Sequence, residues 1–256
     1  METTDPVDIA VEAWMASLAM FSVTQPNGFY RMGAHGTSEL ITGAPMSLLN
    51  GVISINREPD VEEIAAFATS PKLTPVAWSI QTRGDEPIPG IERTATEHGL
   101  TKRTTLPFMT KALTTVDAQL PKTDAPRVRG LTGTDSELYQ TVMAAGYEGP
   151  PEIFAVLSSP AVLDHSAMRG YVAEVDGVPV ASAFGVVVDD HVGVFNIAVP
   201  PEHRRRGYGR AATAEVLREA YSAGARTAFL HASPMGVGLY RDMGFRVAEN
   251  WTILTS

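Results

Sequence analysis

Ile197-Ala198-Val199-Pro200-Pro201-Glu202-His203-Arg204-Arg205-Arg206-Gly207-Tyr208-Gly209-Arg210 is the stretch on which the reading of this chain turns. Before it, residues 191–199 (HVGVFNIAV) are apolar and rich in β-branched side chains, the signature of a buried strand. After it, residues 207–223 space Ala212, Val216 and Ala220, with Leu217 and Tyr221 beside them, as the buried stripe of a helix that Gly224 stops. The bend between strand and helix is basic. A helix N-terminus presents unpaired backbone N–H groups and a partial positive charge. Gly207 and Gly209 strip that backbone of side chains, and Arg204, Arg205, Arg206 and Arg210 add charge. Together these make an anion cradle of the kind that suits a pyrophosphate. The Gly-Lys-Ser/Thr of a P-loop and the three-glycine spacing of a dinucleotide fingerprint are both missing.

Working outward, residues 168–175 and 178–188 read as strands around Asp176-Gly177, a strong hairpin signal, and Asp189-Asp190 makes the next turn. Upstream lie a strand at 127–131 and a helix at 135–145, with Thr134 as a cap candidate and Gly146 as the stop. Downstream come a strand at 226–231, a helix at 235–243 and a strand at 245–254. The first half begins with an amphipathic helix: Asp5 caps it, Pro6 suits its first position, and Val7, Val11, Trp14, Leu18 and Phe21 share a face. Strands follow at 29–34, 38–42 and 51–55, a helix at 59–68, a strand at 76–81, a helix at 88–98 and a strand at 103–109. The Pro/Thr-rich stretch 114–126 is the best boundary. It gives a first domain at 1–120, a linker at 121–126 and a second domain at 127–256. The two halves share a loose order of elements, and the first half reads as α/β; the resemblance set out below implies the fuller fold class, α/β (α+β) with a mixed, mostly antiparallel twisted sheet flanked by helices.

Composition excludes several chemistries. With no cysteine there is no disulfide, thiolate nucleophile or thiolate metal site, which fits a reducing, cytoplasmic setting. The 6 His and 29 acids show no His-x-x-x-His or EF-hand spacing, so no metal is expected. A net charge of −9 disfavours nucleic acid as a partner. The charge gives no way to split the halves, since the first 125 residues carry 9 basic and 15 acidic groups and the rest are acidic too. Asp5, Asp8 and Glu12 stand where a secretory signal needs positive charge, and the apolar run 9–21, broken by Glu12, reads as too short for a bilayer.

Arg204-x-x-Gly207-x-Gly209, following the strand that ends Ile197-Ala198-Val199-Pro200, resembles motif A of the GCN5-related N-acetyltransferases, Arg/Gln-x-x-Gly-x-Gly/Ala. Downstream, Leu239-Tyr240-Arg241-Asp242-Met243-Gly244-Phe245 resembles the same family's Tyr and Gly-Phe hallmark. The resemblance covers residues 127–256, and the first half looks like the degenerate N-terminal domain of a tandem-type member. It implies an acetyl-CoA-dependent N-acetyltransferase in which the amine of a small molecule or peptide attacks directly within a ternary complex. Residues 204–210, including Tyr208, would then hold the pyrophosphate. The strand end Ile197, Ala198 and Val199 would splay to meet the pantetheine arm and polarise the thioester carbonyl. Tyr240 would protonate the leaving thiolate.

Two departures matter. The run His231-Ala232-Ser233-Pro234 stands where many members carry an Asn, leaving Ser233 to cap the next helix or touch the cofactor. The family's usual Glu base falls at Gly193, so Glu174, Asp190, His191, Glu152 or a water remain as base candidates. That gap supports an alternative, a non-catalytic acyl-CoA-binding sensor or partner module. His191 and His231 read as structural, and His203 as a loop residue. Monomer and homodimer are both open.

Overall fold

Asp5 sets the first element: its carboxylate accepts from the Val7 N–H at 2.9 Å and starts α1 (Pro6–Val23), with Pro6 in the first turn. The computed structural model describes residues 5–86, 88–119 and 126–256, so the linker reading falls outside the described residues except at Pro126. Contacts divide the chain into two units. One holds the residues up to Met109 with 231–240 and 246–256; the other holds 110–230 with 241–245. This division does not follow the linear boundary near 120, because segments from the end of the sequence group with its beginning.

In the first unit, β1 (Phe29–Met32), β2 (Thr37–Ile41) and β3 (Asn50–Ser54) form an antiparallel meander. A crossover through α2 (Val61–Ala68) leads to β4 (Ser79–Arg83), parallel to β3. α3 (Pro89–Glu97) and β5 (Lys102–Ala112) follow. The expected helix at 59–68 starts two residues later than Pro59, because Asp60 is the better cap: its carboxylate accepts from the Glu63 N–H at 2.9 Å. Ile64, Ile91 and Ala95 from the two helices pack on Ile41, Val52, Ile80 and Leu254. Leu254 belongs to the last strand of the sequence, β11 (Arg246–Thr255), which pairs antiparallel with β4.

Strand alternation puts Trp251 on the opposite face from Leu254, where Trp14 of α1 meets it edge-on at 4.8 Å. α1 is 18 residues long, longer than the broken apolar run suggests. It is long and apolar enough to cross a membrane by length and composition, and half of it is buried in this unit. The same aromatic group encloses the His231 ring, 4.8 Å from Trp14, 5.1 Å from Phe108 and 5.5 Å from Trp251. His231 Nε2 is buried with no hydrogen-bond partner among the described residues, and burial pushes the imidazole down to about 3. A depressed base is neutral in the folded chain while the unfolded chain takes up a proton below about 6.5. Stability is therefore full above pH 6.5 and, on account of this one group, falls progressively from there toward pH 3. The substitution His231→Phe should flatten that limb of a stability-against-pH curve. An unchanged slope would show that His231 is not its source.

The second unit begins with β6 (Arg127–Gly130), α4 (Ser136–Tyr147) and α5 (Pro160–Leu163). β7 (Met168–Val175), β8 (Val178–Val188) and β9 (His191–Ala198) then form an antiparallel meander. α6 (Tyr208–Ser222) crosses over to β10 (Thr227–His231), parallel to β9; α7 (Val237–Asp242), next in sequence, has residues 237–240 in the first unit and 241–242 in the second. Asp176 and Gly177 have φ of 51° and 78°, the left-handed pair that a two-residue hairpin needs. Each unit thus repeats one plan, a three-strand meander followed by a helical crossover to a parallel strand.

α4 departs from the sequence reading at both ends. Its start is set by Thr132 and Asp135, which form a reciprocal capping box one turn earlier, not by Thr134. It runs through Gly146 and stops at Glu148, φ 57°. Gly146 is a contact residue instead of a stop: a Cβ there would lie 2.6 Å from the Ala198 Cβ and 2.8 Å from the Val199 nitrogen. The buried stripe of α6 holds Ala212, Val216, Leu217 and Ala220 as read, joined by Thr213, while Tyr221 is only partly covered.

Candidate functional site

β9 and β10 pair in parallel as Thr227 with His191, Ala228 with Val192 and Phe229 with Gly193. Among the described residues the pairing ends there, so the edge of β9 from Val194 to Ala198 runs on past it. On its other side, β9 pairs Phe195 with Phe184 and Ala198 with Ser182, three residues against two. The extra residue is a bulge at Asn196, φ 52°. The bulge is held by three contacts. Ser182 Oγ donates to the Asn196 carbonyl at 3.0 Å. The fully buried Tyr139 hydroxyl donates to the Ala183 carbonyl at 3.1 Å. The Asn196 side chain bonds the same phenol, whose pKa burial drives far above its ordinary value. Asn196, Tyr139 and Gly146 escape sequence reading. Asn tolerates the left-handed region, but nothing local marks a bulge inside an apolar strand.

Beyond Ala198 the chain turns through a short 3-10 segment (Pro201–His203) and reaches the Arg-rich bend. Arg204 is turned inward. Its Nε donates to the Val199 carbonyl at 3.0 Å, and its Nη2 donates to the Gly146 carbonyl at 3.0 Å and to Glu148 at 2.6 Å. The side chain braces the end of β9 against the end of α4. Arg205 and Gly207 take left-handed φ of 63° and 83°, and Arg205, Arg206 and Gly207 are exposed. Among the described residues no side chain caps the helix at Gly207, and the first helical bond of α6 is Ala211 N–H to the Gly207 carbonyl at 3.0 Å. The amides before it are open, with the helix dipole behind them. A Cβ on Gly207 would meet nothing within 4 Å, so the space in front of the bend is free. Tyr208 starts α6, with its ring 6.2 Å from His203, and Gly209 is buried in the first turn. Arg210 reaches the end of α7, 3.4 Å from the Asp242 carbonyl and 3.5 Å from its carboxylate.

The matching crossover of the first unit shows why only one bend suits an anion. There the helix start is filled by Asp60, with Glu62 and Glu63 in its first turn, and Arg57 is held by Asp5 and Asp8. The protein's own carboxylates occupy the positive end of that dipole.

Tyr240 lies on α7, 8% exposed, and its N–H donates to the Gly236 carbonyl at 3.1 Å. Gly236 makes room for its ring, since a Cβ there would stand 2.8 Å from Tyr240 Cε2. Ser233 is exposed; its carbonyl, accepting from Gly236 and Val237 at 2.9 and 3.2 Å, opens the turn into α7.

The base candidates separate by position. Glu174 is bound to Arg129 at 3.0 Å, two strands away from β9. His191 is 7% exposed, and its Nδ1 lies 2.8 Å from Asp190 at the start of β9, about 23 Å along the strand from Ala198. Glu152 is exposed on the turn that follows α4, the helix whose end packs on Ala198. At Gly193 a side chain is excluded: a Cβ would lie 2.4 Å from Phe195 Cε2 and 2.8 Å from Phe229 Cε2. Among the described residues no cluster of three metal-ligating side chains occurs.

A forked parallel pair, a bulged strand beside it and an uncapped glycine bend define an α/β fold of the N-acetyltransferase type. Residues 137–245, somewhat under half of the chain, match the model of the acetyltransferase (GNAT) family. A GCN5-related N-acetyltransferase from Kribbella flavida superposes with a TM-score of 0.67 at 19% identity, covering 99% of this chain and 96% of that one. A conserved protein of unknown function from Staphylococcus epidermidis gives 0.65 at 14%, covering 94% and 98%. A protein described as a GNAT-family acetyltransferase from Novosphingobium aromaticivorans gives 0.55 at 18%, covering 93% and 96%. At these identities the likeness is one of fold, and it extends over the first half, which is GNAT-like as well. No curated protein sequence matches significantly.

Proposed function

We propose that this chain is an acetyl-CoA-dependent N-acetyltransferase that moves an acetyl group to a primary amine by direct attack in a ternary complex. The observation that carries the proposal is the bend before α6: open amides, Gly207 in the left-handed region with free space in front, and Arg205 and Arg206 exposed beside it. That arrangement fits a diphosphate. Arg204 is committed to protein acceptors, so its part is to fix the bend, leaving Arg205, Arg206 and the amides of residues 207–210 to hold charge. The edge of β9 at Ile197, Ala198 and Val199 offers backbone groups to the pantetheine arm, and an N–H there polarises the thioester carbonyl. Acetyl-CoA supplies the activated acyl group. Ser233 is a further candidate contact. The same reading takes the chain to be cytoplasmic and metal-free, as a monomer or homodimer.

Calorimetry of CoA with the full chain, followed by thiol release from acetyl-CoA with an amine panel, tests the proposal. Absence of CoA binding would refute it. The second reading, a non-catalytic acyl-CoA-binding module, is favoured by the closed position at Gly193 and predicts binding with no thiol release. A protonated phenol suits the acid step at neutral pH. Tyr240→Phe should therefore lower kcat about 100-fold with acetyl-CoA affinity unchanged. Full turnover in that variant would remove Tyr240 from the chemistry.

A further inference from the structure

The fork between β9 and β10 carries an aromatic floor. Phe195 stands directly opposite Phe184, Phe229 meets Phe195 edge-on at 6.3 Å and 82°, and Tyr139 stacks on Phe184 at 6.4 Å. Phe229, Phe184 and Tyr139 are buried, whereas Phe195, Asn196 and Ile197 are partly exposed where the pairing has ended. The two phenyl rings occupy the volume above Gly193, so no side chain fits there. The β9 residues at the opening, Gly193 to Ala198, include no titratable group. Glu174 and His191 are held elsewhere, by Arg129 and Asp190, and Glu152 stands exposed off the strand, on the turn after α4.

The β9 residues of this surface offer no side chain that could take the proton of an ammonium group. An alkylamine with a pKa near 10.4 is neutral in only about four molecules in ten thousand at pH 7, whereas an α-amino group near 7.7–8.0 is neutral in about one in ten.

Resting on the proposed acetyl transfer, we infer that the acceptor is a weakly basic primary amine borne on an apolar, preferably aromatic, group: an arylamine or the α-amine of an aromatic residue, not a polyamine or a lysine side chain. The amine enters already neutral. Its nitrogen lone pair forms the bond to the acyl carbon as the carbon–sulfur bond breaks, and the sulfur leaves with that bond's electron pair. One N–H proton is lost to water and the thiolate takes one up, so amine and thioester give amide and thiol with no other reactant. Phe195 sets the preference by offering its ring to the group that carries the amine.

The test uses the full chain at pH 7 with saturating acetyl-CoA, reading thiol release with aniline, phenylalanine amide, 2-phenylethylamine and spermidine. The expected result is kcat/KM for aniline and phenylalanine amide at least about tenfold above that for phenylethylamine, which matches them in shape but not in basicity, with spermidine lower still. Phe195→Ala, checked by circular dichroism for an intact fold, should lower kcat/KM for the aromatic acceptors through KM; Phe195→Leu should restore part of it. Equal or faster turnover of phenylethylamine or spermidine overturns the inference, as does CoA binding with no turnover of either weakly basic amine. Absence of CoA binding by calorimetry refutes the acetyltransferase reading itself, so the two failures are told apart.

Discussion

Replacing Gly207 by Asp should raise the dissociation constant for CoA at least about 100-fold, equivalent to about 2.7 kcal/mol. The substitution is informative because the fold tolerates it. A Cβ at this position meets no protein atom within 4 Å, and although φ is 83°, Asp is among the residues that accept the left-handed region most readily. The loss would come from the site: the carboxylate enters the space in front of the open amides of α6 and takes the place of the ligand's own anion, as Asp60 does at the matching helix of the first unit. Gly207→Asn has nearly the same shape without the charge, so it should bind CoA more tightly than the Asp variant. Calorimetry on the two variants separates bulk from charge. If Gly207→Asp binds CoA as the parent does, the diphosphate does not lie at this bend.

A second large effect is expected on stability, from Arg83. Its side chain is only 4% exposed, and it donates to both carboxylate oxygens of Glu249, at 2.8 and 3.0 Å through Nε and at 2.7 Å through Nη2. It also donates to the Ile55 carbonyl at 3.0 Å and reaches Asp8 at 2.7 Å, joining β4, β11, β3 and α1 within the first unit. Glu249 in turn accepts from Trp251 Nε1 at 2.7 Å. Truncation by Arg83→Ala leaves the largely buried Glu249 without its cation, while Asp8 keeps Arg57, and the stranded carboxylate costs about 3–5 kcal/mol. The double variant Arg83→Met with Glu249→Leu, which removes both charges and keeps bulk, should recover much of that loss in a denaturant titration. If single and double variants are equally unstable, the penalty comes from lost packing and not from a stranded charge.

What the sequence determined follows from interactions that are local along the chain. A helix cap, a hairpin turn and a glycine bend each need only a few neighbouring residues, so Asp5 at α1, Asp176-Gly177 between β7 and β8, and Gly207 before α6 are legible in order and in kind. The alternation and spacing of apolar residues fix most elements to within a few positions for the same reason. Tertiary structure alone decided where distant segments meet. Gly146 reads locally as a helix stop, yet its bareness answers to Ala198, 52 residues on. Arg204 reads as an anion contact, yet its guanidinium is taken by Val199, Gly146 and Glu148. Nothing near Asn196 announces the bulge that Tyr139 and Ser182 hold, and nothing near β11 announces that the last strand of the chain pairs with β4. Those outcomes depend on which surfaces exclude each other and which buried polar groups find partners, and both are settled only when remote parts of the chain compete for the same space.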